Sequence, residues 1–233
     1  MSEISSLLDQ ILRDAEEIGI AAGPYLNAGL STAKIEELSA NLPFRLPPDV
    51  VELYRWRNGM RLEGQLCEFR IIPGMVIEPL EDAVLRTNEL AAAVDEPFAL
   101  WKTTWYSLCT NLAGHYLALD VAAIRNDGGK VIAINMESNP YPAFQSFKQM
   151  LLSIADCYKA GVYLLDEERF LVEERRLSDI IYRLHNGGLS PILLESTNDL
   201  KSLSRRARQV FSREGRNDLL EKLSDLERRS GLG

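Results

Sequence analysis

"LPPDVVELYRWRNGM", residues 46–60, opens on two prolines, runs through an apolar and aromatic stretch, and stops at Asn-Gly. Val50, Leu53, Tyr54 and Arg57 fall three and four apart, the spacing of one helix face. Pro47 and Pro48 suit a helix start, where the first N–H groups have no intrahelical partner. Asp49 adds a negative charge where the helix dipole favours one. Asn58-Gly59 reads as a stop, because glycine accepts the left-handed conformation that ends many helices. The stretch predicts one short, capped helix. Its spacing leaves open whether that helix only supports the fold or also binds something.

Upstream, Ile4, Leu8, Ile11, Ala15 and Ile18 alternate in steps of four and three, one apolar stripe on a first helix. "STAKIEELSANL" (31–42) predicts a second helix, capped by Ser31 or Thr32, with Ile35 and Leu38 inward. Downstream the texture changes. "GQLCEFRIIP" (64–73) alternates as a strand would, and "PGMVIEPL" (73–80) reads as a turn with a short extended piece. "PLEDAVLRTNELAAAV" (79–94) returns to helical spacing at Leu80, Ala83, Val84 and Thr87. Strands are expected in 98–110, 114–124 and 129–136, with a tight reversal at "RNDGGK" (125–130). A helix is expected over 143–161, burying Phe144, Phe147, Met150, Leu151 and Ile154.

Helices, then strands, then a helix predict an α+β fold with an antiparallel sheet flanked by helices. From Asp166 on there is no strand signal. Residues 166–188 read as one helix stopped by Asn186-Gly187-Gly188. Two more follow in 189–215 and 215–229, so the C-terminal extension is expected to be all-helical.

The chain has 233 residues, 46% of them hydrophobic, enough for a sizeable core. No apolar run reaches the length of a membrane span, and the acidic start lacks a secretory pattern. Cys67, Cys109 and Cys157 are dispersed, which suits reduced thiols in the cytoplasm and gives no zinc spacing. Residues 1–165 hold 21 acids against 13 bases, net −8, and residues 166–233 hold 13 of each. This acidic body argues against nucleic acid as the main ligand. It suits a basic protein partner, or simply keeps the chain in solution.

Catalytic chemistry finds little support. Only two histidines occur, His115 and His185, and no nucleotide, metalloprotease or nucleophile-elbow motif is present. A Cys109–His115 pair lacks a third member. No catalytic, cofactor or metal residue is therefore assigned, and the chain reads as a non-enzyme. Partner contacts are assigned to Trp56 and Asn58 on the quoted stretch and to Trp105 and Tyr106, which must point to opposite faces of their strand. Arg205, Arg206 and Arg208 join them, from an arginine cluster that also holds Arg213 and Arg216. Such a cluster is either a solvated face or a set of contacts to carboxylates or phosphates.

The succession "IEELSANLPFRLPPDVVELYRWRNG", "GHYLALDV", "GGKVIAINM" and "YPAFQSFKQMLLSI" resembles the SUKH superfamily, which includes the yeast cell-wall-synthesis regulators of the Smi/Knr type. One departure is Met60, where family members often carry a second glycine. The resemblance covers residues 28–162, leaving an N-terminal helix in 1–27 and the extension in 163–233. It implies a non-enzymatic binding module. The partner is then a resident cellular complex, for an intracellular scaffold or regulator, or a polymorphic nuclease-type toxin, for an immunity protein. Residues 1–162 are expected to fold alone, with self-association open to the C-terminal helices.

Overall fold

The structure, a computed structural model, describes residues 2–21, 23–61, 70, 72–94, 100–123, 129–135, 138–167, 171–174, 177–185 and 197–230. Helix α1 (Glu3–Glu17) starts at Ser2, whose hydroxyl accepts from the Ser5 N–H, and buries Ile4, Leu8, Ile11 and Ala15. Helix α2 (Thr32–Ser39) is capped by Ser31. The quoted stretch forms α3 (Pro48–Trp56), which buries Val50, Leu53, Tyr54 and Trp56.

The expected glycine stop needs correcting. Helix α3 ends at Trp56 because Arg57 is extended. Residues Arg57–Met60 form strand β2, paired antiparallel with β1 (Leu26–Ala28). Gly59 has φ +62° inside β2, and a Cβ there would lie 2.4 Å from the Glu78 backbone. The glycine thus serves a close backbone approach and not a helix end. Gly59→Ala is expected to cost about 2–3 kcal/mol in backbone strain and displacement. At roughly 2–4 °C per kcal/mol for a chain of this size, that lowers Tm by about 5–10 °C. A thermal melt within about 1 °C of wild type would contradict the placement. Met60, the family departure, is fully buried in β2.

Helix α4 (Leu80–Ala92) buries Leu80, Ala83, Val84 and Thr87, the residues expected from its spacing. The central sheet is antiparallel in the order β3 (Trp105–Thr110), β4 (Tyr116–Asp120), β5 (Val131–Asn135), β6 (Ser138–Phe144). Strand β6 was not foreseen. Pro140 and Pro142 hide it, since proline cannot donate to a ladder and is confined to edges, and β6 is an edge. Phe144 accordingly ends this strand. Helix α5 (Phe147–Lys159) begins later than expected, where the Ser146 hydroxyl accepts from the Gln149 N–H. The expected strand at 64–73 and the reversal at 125–130 lie largely outside the described residues. The short extended piece does form: Val76 and Thr110 exchange backbone hydrogen bonds of 2.7 and 3.0 Å.

Both faces of the sheet carry packed side chains. Tyr106, Leu119 and Val131 face the main core with α1, α3 and α5, while Trp105, Ala118, Ile132 and Ile134 form a smaller cluster with Trp101. That answers why adjacent Trp105 and Tyr106 are both buried.

In the extension, the single helix read over 166–188 is also corrected. A hairpin of β7 (Tyr163–Leu165) and β8 (Leu171–Glu173) precedes helix α6 (Leu177–His185). Three residues per strand are too few to register as an alternating pattern. Helices α7 (Thr197–Arg213) and α8 (Asn217–Arg229) follow. Ile180, Ile181, Phe211, Leu219 and Leu223 belong to the same continuous core as Ile4 and Leu53. These five side chains of the extension are therefore covered within one chain.

A polar tie crosses this junction. Arg216 Nη2 donates to Asp156 Oδ1 at 2.6 Å, and His185 Nε2 lies 2.6 Å from Asp156 Oδ2. Burial pushes the Asp156 carboxyl up, but hydrogen bonds from His185 and Arg216 outweigh it and hold the group below its ordinary range. A folded value below the unfolded one means stability that is present above about pH 4 and lost as pH falls through the folded value. Asp156→Asn should therefore cost about 2–3 kcal/mol near pH 7. In denaturant titrations the gap to wild type should narrow toward pH 3, whereas a gap that stays constant would refute the tie.

Candidate functional site

A row of side chains crosses the main face of the sheet. Leu117, Ala133 and Tyr141 are successive register partners on β4, β5 and β6. Ala133 is the small member, and the sheet is hollow above it. Here opens a cleft of about 520 Å³. Met150 and Ile154 of α5 form one wall, and Val172 and Glu173 of β8 with Asp179 and Tyr182 of α6 form another. Phe144 meets Tyr182 edge-on at 5.0 Å. The Tyr182 hydroxyl is hydrogen-bonded to Tyr163. Burial, and then the charge of Asp179, pushes the Tyr141 hydroxyl above its ordinary value. At the edge of the cleft, Val172 and its cross-strand partner Leu164 are 37% and 41% exposed.

The seven residues assigned from sequence sit elsewhere, and most are occupied internally. Trp56 is buried, and its indole N–H donates to Asp9 Oδ1 at 2.7 Å. Asn58 is also buried. Its Oδ1 accepts from the Leu80 N–H at 2.8 Å and its Nδ2 donates to Glu81 at 3.1 Å. Asn58 thus caps α4 from outside, which matters because that helix has no side-chain cap of its own. Tyr106 donates to the Tyr54 hydroxyl at 2.8 Å, and Tyr54 in turn donates to the Glu78 carbonyl at 3.3 Å. Trp105 is buried on the other face, with the Lys102 ammonium 5.3 Å from its ring centre. Arg206 pairs with Glu174 at 2.6 Å, and Arg208 pairs with Glu227. Arg205 is the exposed member of the arginine trio. Of the wider cluster, Arg216 reaches the acidic body, through Asp156.

The Asn58-Gly59 pair thus knits α3, β2 and the start of α4 together, which gives the quoted phrase a structural reason to recur in a family. A family model described as SMI1 / KNR4 family (SUKH-1) matches residues 29–153, more than half of the chain. The chain belongs to the SMI1 / KNR4 (SUKH-1) family. No protein with a curated description matches it.

The SUKH region supplies the floor of the cleft and part of one wall. Val172, Glu173, Asp179 and Tyr182 lie beyond the matched residues. Sequence reading missed the cleft because its parts come from a strand masked by prolines and from a hairpin too short to see. The phrase "YPAF" was the one available signal, since it places Tyr141 and Phe144 close together.

Cys109 is fully buried, and burial followed by the charge of Glu78 raises its thiol far above the ordinary range, whereas His115 is exposed. Among the described residues, no group of three or more His, Cys, Asp or Glu could hold a metal ion. Within the same residues, no helix is long and apolar enough to cross a membrane.

Proposed function

We propose that this SUKH-family chain is a non-catalytic, cytoplasmic protein-binding module of the scaffold or regulatory kind. It docks a segment of a partner protein in the cleft above Ala133. The observation that carries this reading is the cleft itself. Its volume of about 520 Å³ falls in the range of formed ligand sites, and its floor is apolar. The exposed Leu164–Val172 pair extends that apolar surface outward. Arg205 adds a proposed contact at the rim of the molecule.

The test is a blocking substitution. Ala133→Phe fills the hollow, and the full-length variant should keep its cooperative melt while capturing at least about tenfold less of the protein that the wild type captures from source-cell extract, a loss of about 1.4 kcal/mol. Equal capture would place the docking surface elsewhere.

A second reading, immunity against a nuclease-type toxin, is favoured by one observation: the excess of 21 acids over 13 bases in residues 1–165 would steer a basic partner. The partner's nature separates the two. A captured nuclease whose activity the chain abolishes supports immunity, and a resident cellular complex supports the scaffold role.

A further inference from the structure

The end of α6 and the last turns of α8 carry a basic corner that docking in the cleft does not use. Arg183 and Leu184 of α6, with Lys222, Leu226 and Arg229 of α8, line a cavity of about 240 Å³ there. The acidic side chain of this lining, Asp225, is already paired with Arg228. Arg183, Lys222 and Arg229 have no ion pair among the described residues, a local surplus of positive charge in a chain of net charge −8. Basic residues often gather at helix C-termini, where they complement the negative end of the dipole. Arg183 does more than that. Its Nε is buried and has no hydrogen-bond partner. A dipole partner stays in water or donates to the last carbonyls, whereas a charged donor withdrawn from water and bonded to nothing is costly and suits an acceptor from outside the chain. Helix α6 packs on α8, and Leu184 and Leu226 pack against the main core, so the three cations stand on a fixed frame.

We infer that this corner binds a phosphate group, held by Arg183, Lys222 and Arg229. A phosphate carries a charge of about −1.5 to −2 at pH 7 and three strong acceptor oxygens, which matches three unpaired cations better than a singly charged carboxylate does. The planar guanidinium of Arg183 suits two phosphate oxygens at once. Leu184 and Leu226 offer apolar surface to the stem of a phosphate ester. The site lies beyond the residues matched by the SUKH family and shares no lining residue with the cleft, so it stands or falls independently of the docking reading.

The experiment is an amide NMR titration of the full-length chain, at constant ionic strength, with phenyl phosphate, inorganic phosphate and benzoate. The expected result is a saturable shift of the Leu184 and Ser230 amides with both phosphates, at least about fivefold tighter than with benzoate, the scale of one further exposed ion pair. In Arg183→Gln the phosphate affinity should fall about fivefold or more. If that variant does not fold, Lys222→Gln at an exposed position of α8 replaces it, with a fall of about twofold to fivefold expected. Lys201→Gln removes an exposed cation of α7 outside the lining and should keep the wild-type affinity. Phenyl phosphate binding more tightly than inorganic phosphate identifies an ester as the source, and equal binding identifies the free ion; both support the phosphate. No saturable shift at these amides, benzoate binding as tightly as the phosphates, an undiminished phosphate affinity in the folded lining variant, or a loss in Lys201→Gln as large as in that variant would overturn the inference.

Discussion

A chain ending at Val162 is expected to lose its cooperative fold. The resemblance closes near Ala160, which suggests a self-sufficient unit, but the packing leads to the opposite expectation. Tyr158 meets Tyr163 edge-on at 5.0 Å, Phe144 meets Tyr182 at the same distance, and Asp156 is tied to Arg216. Helix α5 lies between α1 and α6. Without residues 163–233, the outer side of α5 and the end of β6 would be bare. Each large apolar side chain returned to water costs about 1.5–3 kcal/mol. Three or four of these approach the whole stability of a domain, about 5–15 kcal/mol. Circular dichroism of residues 1–162 should therefore show a broad or absent melt. A cooperative transition within about 5 °C of the full chain would restore the self-sufficient unit and reduce the extension to an appendage.

Tyr54→Ala is expected to be the most damaging single substitution among those considered. Tyr54 is fully buried at the centre of the main core. Truncating a buried aromatic costs about 3–5 kcal/mol. Tyr106 would also lose the acceptor of its hydroxyl, a further penalty of about 1–3 kcal/mol for a buried polar group. Together these lower Tm by about 10–25 °C. Tyr54→Phe keeps the ring and loses the hydroxyl, so about 1–3 kcal/mol is expected. Two thermal melts decide it: an alanine variant within about 5 °C of wild type, or a phenylalanine variant as damaged as alanine, would contradict the packing.

The helices were legible because their periodicity comes from burial on one side. Ile4, Leu8, Ile11 and Ala15, or Leu80, Ala83, Val84 and Thr87, show the stripe in the sequence because the elements that cover it in the fold lie on one side of the helix. Strand β6 was not legible because its prolines argue against pairing, and only its edge position permits them. The β7–β8 hairpin carries too few residues to show a period. The partner-contact assignments ran into a different difficulty. Aromatic residues and Asn-Gly pairs look alike whether they bind or build, and Asn58 and Tyr106 are hydrogen-bonded within the chain. The cleft needed tertiary placement, since Ala133 and Asp179 are 46 residues apart in sequence and neither stands out alone.

Site-specific photocrosslinking in the source cell tests the central claim most directly. A benzophenone amino acid at Val172, beside the cleft, is compared in the full-length chain with the same group at Leu85, an exposed position on α4. Capture of one discrete protein from position 172, absent from position 85 and lost on adding Ala133→Phe, is the predicted result. A discrete partner captured from position 85 and not from 172 would show that the cleft is not where this SUKH-family chain binds.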